Sequence, residues 1–543
     1  MSDDWYKCAV IYELDVENFQ DSDGDGVGDF RGLISRLDYV RDLGIDCIWL
    51  QPFYATPNRD NGYDVVDYRS VDPRLGTLDD FDAFIREAKA RGMRVIADVP
   101  LNHTSDRHSW FKEARADRAS PYRDYYLWRD DLPENPAPYP VFGPEQGGNW
   151  EWDGAAGQYY FHTFYRFMPD LNIANPTVQR ELIDIAQFWM RRGLSGFRLD
   201  AVPFLVKDRA EGEHMEDPHD FLRDLRKGVD EVDPEAVLIA EANLPPEHMR
   251  HYFGDGDQMH LLLNFYLCNH LFLSMATGEA AHIERSWEEL HDVPEDCGWA
   301  NFVRNHDELS LDQLTKEERE TVFKAFGPSK DMQLYDRGIR RRLAPMVDGD
   351  LRRIKLTYAL LLSLPGTPVI NMGEEIGLGD DLTLKDRNSA RTPMQWSPNE
   401  ANAGFSTAPS EKLVRPVIAG GPFGYQHVNV EAQQEDRRSM LHFIRRGIRA
   451  YHASPAFGTG EWSFIETGEP SVLAHRCECP GDRIYAVHNL SDQPRTVRLS
   501  LPPECDELFS DADYGPARDG QMTLSPYGFR WLRAREQVPA ERP

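Results

Sequence analysis

Eight short apolar runs recur along the chain, and polar groups of one kind close four of them, which leaves few folds open. The four are ADVPLNH (97–103), GFRLDA (196–201), IAEAN (239–243) and FVRNHDE (302–308), each ending in carboxylates or imidazoles. A buried strand that stops at a solvent-filled pocket reads this way. The full set of candidate strands is 10–15, 46–51, 94–99, 196–201, 237–242, 261–267, 300–305 and 367–372. Amphipathic segments such as 79–92 and 177–193 separate them. Eight strands joined by helices predict an α/β chain folded as a (β/α)8 TIM barrel, with its working groups at the C-terminal strand ends. That fold would bring Asp200, Glu241 and Asp307 to the same ends of successive strands, together with His103, Arg198 and His306.

Two stretches fall outside the barrel pattern. Residues 104–170 are rich in Trp, Tyr, Pro and Asp, and so long a connection predicts an inserted subdomain after the third strand. After residue 452 short alternating runs such as SVLAHRC and RIYAVHNL predict a C-terminal antiparallel β-sandwich. The expected division is a barrel of 1–103 and 171–452, an insertion of 104–170 and a sandwich of 453–543. The 543 residues suffice for such a set. A net charge of −31 disfavours nucleic acid and anionic membrane as partners, while a neutral sugar is indifferent to it. No run is long enough to span a membrane. The start MSDDWYK lacks a signal-peptide pattern and no CxxC pair occurs among the seven cysteines, so a reduced cytoplasm is the expected compartment. Nothing in the sequence decides between a monomer and a homo-oligomer.

Three carboxylates, two imidazoles and a guanidinium suit the breaking of a glycosidic bond. Retaining chemistry needs an ionised nucleophile and a protonated acid roughly 5–5.5 Å apart. Arg198, two residues before Asp200, points to the same face of its strand and would keep Asp200 ionised. Glu241 follows the apolar VLIA, where desolvation would raise its pKa as a general acid requires.

In their order and spacing the four strings resemble the catalytic strand ends of the α-amylase family of glycoside hydrolases, family thirteen. GYDVVDY (62–68), MPDLN (168–172) and GTPVINMGEE (366–375) resemble the same family, and DRNSARTPMQW (386–396) resembles its exo-acting branch. The likeness runs from about Trp5 to about Trp531. Residues 58–81, 339–345 and 423–433 are similar to its trehalose synthase (maltose glucosyltransferase) group in particular. The resemblance implies Asp200 as nucleophile, Glu241 as acid/base and Asp307 as the carboxylate that grips sugar hydroxyls. His103 and His306 would donate to the same sugar, and Tyr63 and Asp64 would stack on it and bond to it. Arg391 would pair with Asp64 and close the pocket. Asn264 would touch the leaving sugar, and the small Ala201 goes with α-1,4 bonds.

DSDGDGVGD places Asp21, Asp23, Asp25 and Asp29 at alternate positions among glycines, a crowd of hard oxygen ligands that suits Ca2+. An EF-hand is excluded because its twelfth position is Gly32. The resemblance implies a calcium loop here, completed by the carbonyl of Val27. It also implies a second site at Asn102 and Asp170 with the carbonyls of Phe204 and Leu205. There Lys207 replaces the group's glutamate, and its ammonium would stand in for the ion. Other departures are Asn371-Met372 at the eighth strand end, Met168 for glutamine, and VENF (16–19) for a more basic segment. The expected function is intramolecular transglucosylation interconverting maltose and trehalose through a covalent glucosyl-enzyme. The alternatives are an exo-acting α-glucosidase on short α-glucosides and a non-catalytic sugar-binding relative, and the three carboxylates argue against the last.

Overall fold

The computed structural model describes residues 4–132, 141–142, 148–205, 219–290, 293–517 and 519–535. Eight parallel strands close into a barrel: β1 (Ile11–Leu14), β2 (Cys47–Leu50), β3 (Arg94–Val99), β4 (Gly196–Leu199), β5 (Val237–Ala240), β6 (Leu261–Leu263), β7 (Gly298–Phe302) and β8 (Thr367–Asn371). Each pairs with its neighbours in sequence order, and β8 pairs with β1. The strands are apolar because both faces are covered, by barrel interior on one side and helices on the other. The helices carry their own start signals. Thr77 and Asp80 form a reciprocal capping box ahead of the helix Leu78–Ala90. Asn175 caps Pro176–Arg191, whose Trp189 packs edge-on against Phe53 and Phe81 under the sheet.

The sixth run differs from expectation. Only Leu261–Leu263 is strand, and Phe265–Thr277 is a helix. Asn264 is its N-cap, accepting from the Leu267 amide at 3.0 Å. The run has no β-branched residue, so a capping Asn wins over apolar continuity.

The insertion leaves the end of β3 and folds around a three-stranded antiparallel sheet of Trp128–Arg129, Gln158–Phe161 and Trp150–Asp153. Bridges His103–Asp170 and Tyr126–Leu171 tie its two ends together. The C-terminal part is a sandwich. A five-stranded antiparallel sheet faces the pair Arg495–Arg498 and Gln521–Leu524, with Val472, Val487, Val497 and Leu524 among the residues packed between them. No described helix is long and apolar enough to cross a membrane.

The join of β4 to β5 allows no side chain at Gly196. Its φ is +141°, and a Cβ would stand 1.9 Å from the Val237 carbonyl oxygen. Gly196→Ala should therefore cost roughly 3 kcal/mol or more. Calorimetry should show a fall of several degrees in the melting temperature, and an unchanged melt would contradict this packing.

Candidate active site

The register of β3 against β4 sets Asp98 beside Arg198. Both are fully buried, and the guanidinium donates to Asp98 at 2.8 and 3.0 Å. The same nitrogen reaches Asp200 Oδ1 at 2.7 Å, and the other terminal nitrogen reaches Glu241 Oε2 at 2.6 Å. Ala201, in a left-handed conformation (φ +48°), turns its amide to Glu241 at 3.2 Å. One cation thus serves three carboxylates, and the charges do not balance. Burial raises Glu241 to about 7 despite Arg198. Asp200 departs from expectation in the same direction. Burial acts first, Arg198 opposes it, and the shared Asp98 takes part of that cation's effect, so Asp200 is raised to about 6. Asp200 remains the more acidic of the two.

Asp307 has the opposite surroundings. Its Oδ1 accepts from Arg387 at 2.6 Å and from Arg391 at 2.7 Å, and His306 Nε2 lies 3.3 Å from its Oδ2. Burial alone would raise it, but Arg387 and then His306 hold it well below the usual carboxylate range. His306 is caught between acids. Its Nδ1 bonds Glu13, and burial, which disfavours its charge, is outweighed by Asp307 and Glu13, so its pKa rises to about 10. Tyr63 stacks on it at 5.6 Å, bonds its Nε2 at 2.7 Å and donates to Asp98 at 2.9 Å. His103 is held neutral by burial, with Nε2 3.2 Å from the Tyr63 carbonyl.

Two expected contacts take another form. Asp64 does not pair with Arg391. It is fully buried and accepts from Thr56 Oγ1 at 2.9 Å, Asp60 N at 3.2 Å and Arg59 Nε at 3.3 Å, closing its own turn. The carboxylate that turn presents is Asp60, paired with Arg387 at 2.9 Å. Arg391 instead holds Asp307 and the His306 carbonyl. Asn264 does not reach the site either. Its side chain caps the helix after β6 and donates to Asn301 at 3.0 Å. Sequence reasoning missed Glu13, Asp98, Asp60 and Arg387. Glu13 and Asp98 had a signal, since an acid inside a doubly covered strand must find a cation.

Above these groups opens a cavity of ≈ 480 Å3, lined by Asp60, Tyr63, His103, Asp200, Glu241, Asp307 and Arg387 on its polar side. Phe142 and Phe164 of the insertion, with Met168, Leu244 and Phe265, are among its apolar lining, and Glu308, Asp312 and Arg337 add further charge. Arg198, His306 and Arg391 lie behind this wall, acting through the carboxylates they hold.

The catalytic domain described as alpha amylase matches residues 14–329 and 336–460. The chain belongs to the α-amylase family. The sucrose hydrolase-like C-terminal domain matches residues 481–533. A trehalose synthase of Pimelobacter sp. (strain R48) is 41% identical, over 99% of this chain and 97% of that one. The trehalose synthase/amylase TreS of Mycobacterium tuberculosis (strain H37Rv) is 42% identical, over 97% of this chain and 90% of that one. Among solved structures, the trehalulose synthase MutB of Pseudomonas mesoacidophila MX-45 superposes with a TM-score of 0.78 at 29% identity, covering 97% of this chain and 99% of that one.

In this α-amylase family member Asp21, Asp23 and Asp29 bring carboxylate oxygens within 4.8 Å of one another, a set that could hold an ion. Asp25 is not in that set, and its carboxylate accepts from the Val27 amide at 2.8 Å. Asp170, expected at a second site, accepts from the Thr163 amide at 2.9 Å, and Lys207 lies outside the described residues.

The raised pKa of Glu241 carries a cost to the fold. The folded value of about 7 exceeds the ordinary 4.5, so stability present below pH 4.5 is lost as the pH rises through 7. Glu241→Gln removes that loss. It should stabilise the protein by about 1–3 kcal/mol at pH 8 and by nothing at pH 4. Urea titrations at the two pH values test this; a variant less stable at pH 8 would contradict the assigned surroundings.

Proposed function

We propose that this protein is a retaining α-glucoside transglucosylase that interconverts maltose and trehalose. The observation that carries the proposal is one guanidinium gripping two carboxylates of split acidity at the foot of a cavity that is also lined by the linked set Asp60, Arg387 and Asp307. Its volume suits a disaccharide. The names of the relatives support the same reaction.

Asp200, the more acidic group, attacks the anomeric carbon as Glu241 gives its proton to the glycosidic oxygen. The C–O bond to the leaving glucose breaks and a glucosyl ester on Asp200 forms. Glu241, now a carboxylate, then takes the proton of the incoming hydroxyl, which displaces Asp200 and restores both groups. Asp307, kept ionised by its three cations, accepts hydrogen bonds from the sugar ring, and Tyr63, backed by His306, forms its floor. The apolar lining keeps water from the ester, so the released glucose turns and returns through its anomeric hydroxyl. Hydrolysis to glucose is the minor leak. An exo-acting α-glucosidase would use the same groups with water as acceptor, and the altered Asn371-Met372 strand end is the feature that favours it.

Asp21, Asp23 and Asp29 would hold a Ca2+ ion through hard carboxylate oxygens, and the ion would brace the loop before the helix Phe30–Leu43. Calcium should then raise the melting temperature by mass action on the folded state, and chelator should reverse the gain. A melt indifferent to both would remove calcium from the account.

Incubation with maltose and labelled free glucose, followed by NMR, tests the reaction itself. Trehalose should appear as main product with little label, and Asp200→Asn should form none. Glucose as main product from the first minutes would overturn the transfer.

A further inference from the structure

Glu17 lies in the segment VENF (16–19), and the mechanism leaves it unused. Its carboxylate is 6% exposed and collects three donors from three separate segments. Oε1 accepts from Arg415 Nη1 at 2.8 Å. Oε2 accepts from Asn58 Nδ2 at 2.7 Å and from Arg74 Nη1 at 2.8 Å. Arg415 also donates to the side chain of Asn61. Asn58 and Asn61 are both left-handed, at φ +57° and +50°. Asparagine is among the few residues besides glycine that visit that conformation, and here the contacts to Glu17 and Arg415 help to hold it. Between the two asparagines stands Asp60, which meets Arg387 at 2.9 Å, and Arg387 meets Asp307 at 2.6 Å. The segment carrying Arg415 is itself fixed, since the Val414 amide donates to the Gly26 carbonyl at 2.9 Å.

We infer that Glu17 is a positioning residue for the glucose pocket: it clamps both ends of the turn at 58–61 and so holds Asp60 against Arg387 in the cavity lining. The chemistry calls for a carboxylate. Arg415 and Arg74 converge on it; Arg74 keeps Asp72 as a second partner at 2.7 Å, so a neutral side chain would chiefly take from the buried Arg415 its close carboxylate. Burial disfavours the charge on Glu17, but Arg415 and then Arg74 overcome it and lower its pKa, so the clamp is closed throughout the neutral range. A loosened turn would let Asp60 swing from the cavity wall, and the pocket would lose its grip on the sugar before any bond is broken. The inference rests on the proposed function only in taking that cavity as the glucose pocket.

The test is Glu17→Gln in the full chain, with maltose and p-nitrophenyl α-glucoside as substrates and 1-deoxynojirimycin binding by calorimetry. KM for both substrates and Kd for the iminosugar should rise about tenfold or more while kcat changes less than about threefold, the mark of lost uniform binding. Glu17→Asp should recover part of the loss. A lower melting temperature with KM and Kd within about twofold of the parent would reduce Glu17 to ordinary fold support and overturn the inference. If Glu17→Gln does not accumulate as folded protein, Arg415→Lys is read in the same way, and unchanged KM and Kd overturn the inference there too. The aryl glucoside and the iminosugar report on the pocket whichever acceptor maltose chemistry uses. Glucose in place of trehalose would therefore defeat the proposed transfer and leave this result standing.

Discussion

Everything in the site depends on one buried guanidinium with too many anions. Arg198 has no exposure, and it supplies the cationic partner of Asp98, Asp200 and Glu241 together. A buried carboxylate with cations of its own is held down, as Asp307 is. Here the desolvation of three carboxylates exceeds what one cation returns, so Asp200 and Glu241 rise to about 6 and about 7. That shortage is useful. It leaves one group ionised and the other able to carry a proton near neutrality, which is the division of labour that acid-assisted displacement requires. The barrel makes the arrangement affordable, because parallel strands fix Asp98 and Arg198 side by side before any side chain moves.

A few ångströms away the imbalance is reversed. Asp307 faces Arg387, Arg391 and His306, and it is the most acidic of the three carboxylates. The pocket is therefore polarised, with carboxyls of raised pKa around Arg198 and a fixed anion at Asp307. Arg387 links the fixed side to the turn at 58–61 through Asp60, and the cation also lies over Phe142 of the insertion at 5.1 Å. Barrel, turn and inserted subdomain thus meet at one arginine, so the shape of the sugar pocket and the electrostatics of Asp307 are set together.

Most of this was legible in the residues. Each of the eight apolar runs contains a barrel strand, the sixth only over its first three residues, and Asp200, Glu241, Asp307, Tyr63 and His103 reach the cavity. Period-two geometry and strand ends carry that much. The misreadings have local causes. Asp60 and Asp64 lie four residues apart in one turn, as do Arg387 and Arg391 in another. Which of each pair faces the cavity is decided by left-handed backbone at Asn58 and Asn61 and by the short helix Asp386–Ala390, neither of which leaves a periodic pattern. Asn264 reads in sequence as the polar end of a strand, whereas its side chain caps the helix that follows. Asp98 accounts for the difference at Asp200: its charge opposes the effect of Arg198 and helps raise the neighbouring carboxyl.

The central claim is that a glucosyl ester forms on Asp200, and trapping it is the most direct measurement. Brief reaction with 5-fluoro-α-D-glucosyl fluoride, whose ring fluorine slows ester breakdown, should leave one covalent glucosyl adduct per chain. Peptide mass spectrometry should place that adduct on the peptide containing GFRLDA, with none in a protein carrying Asp200→Asn. An adduct on Glu241 or Asp307, or turnover of the fluoride by the Asp200→Asn protein at the parent rate, would contradict the account.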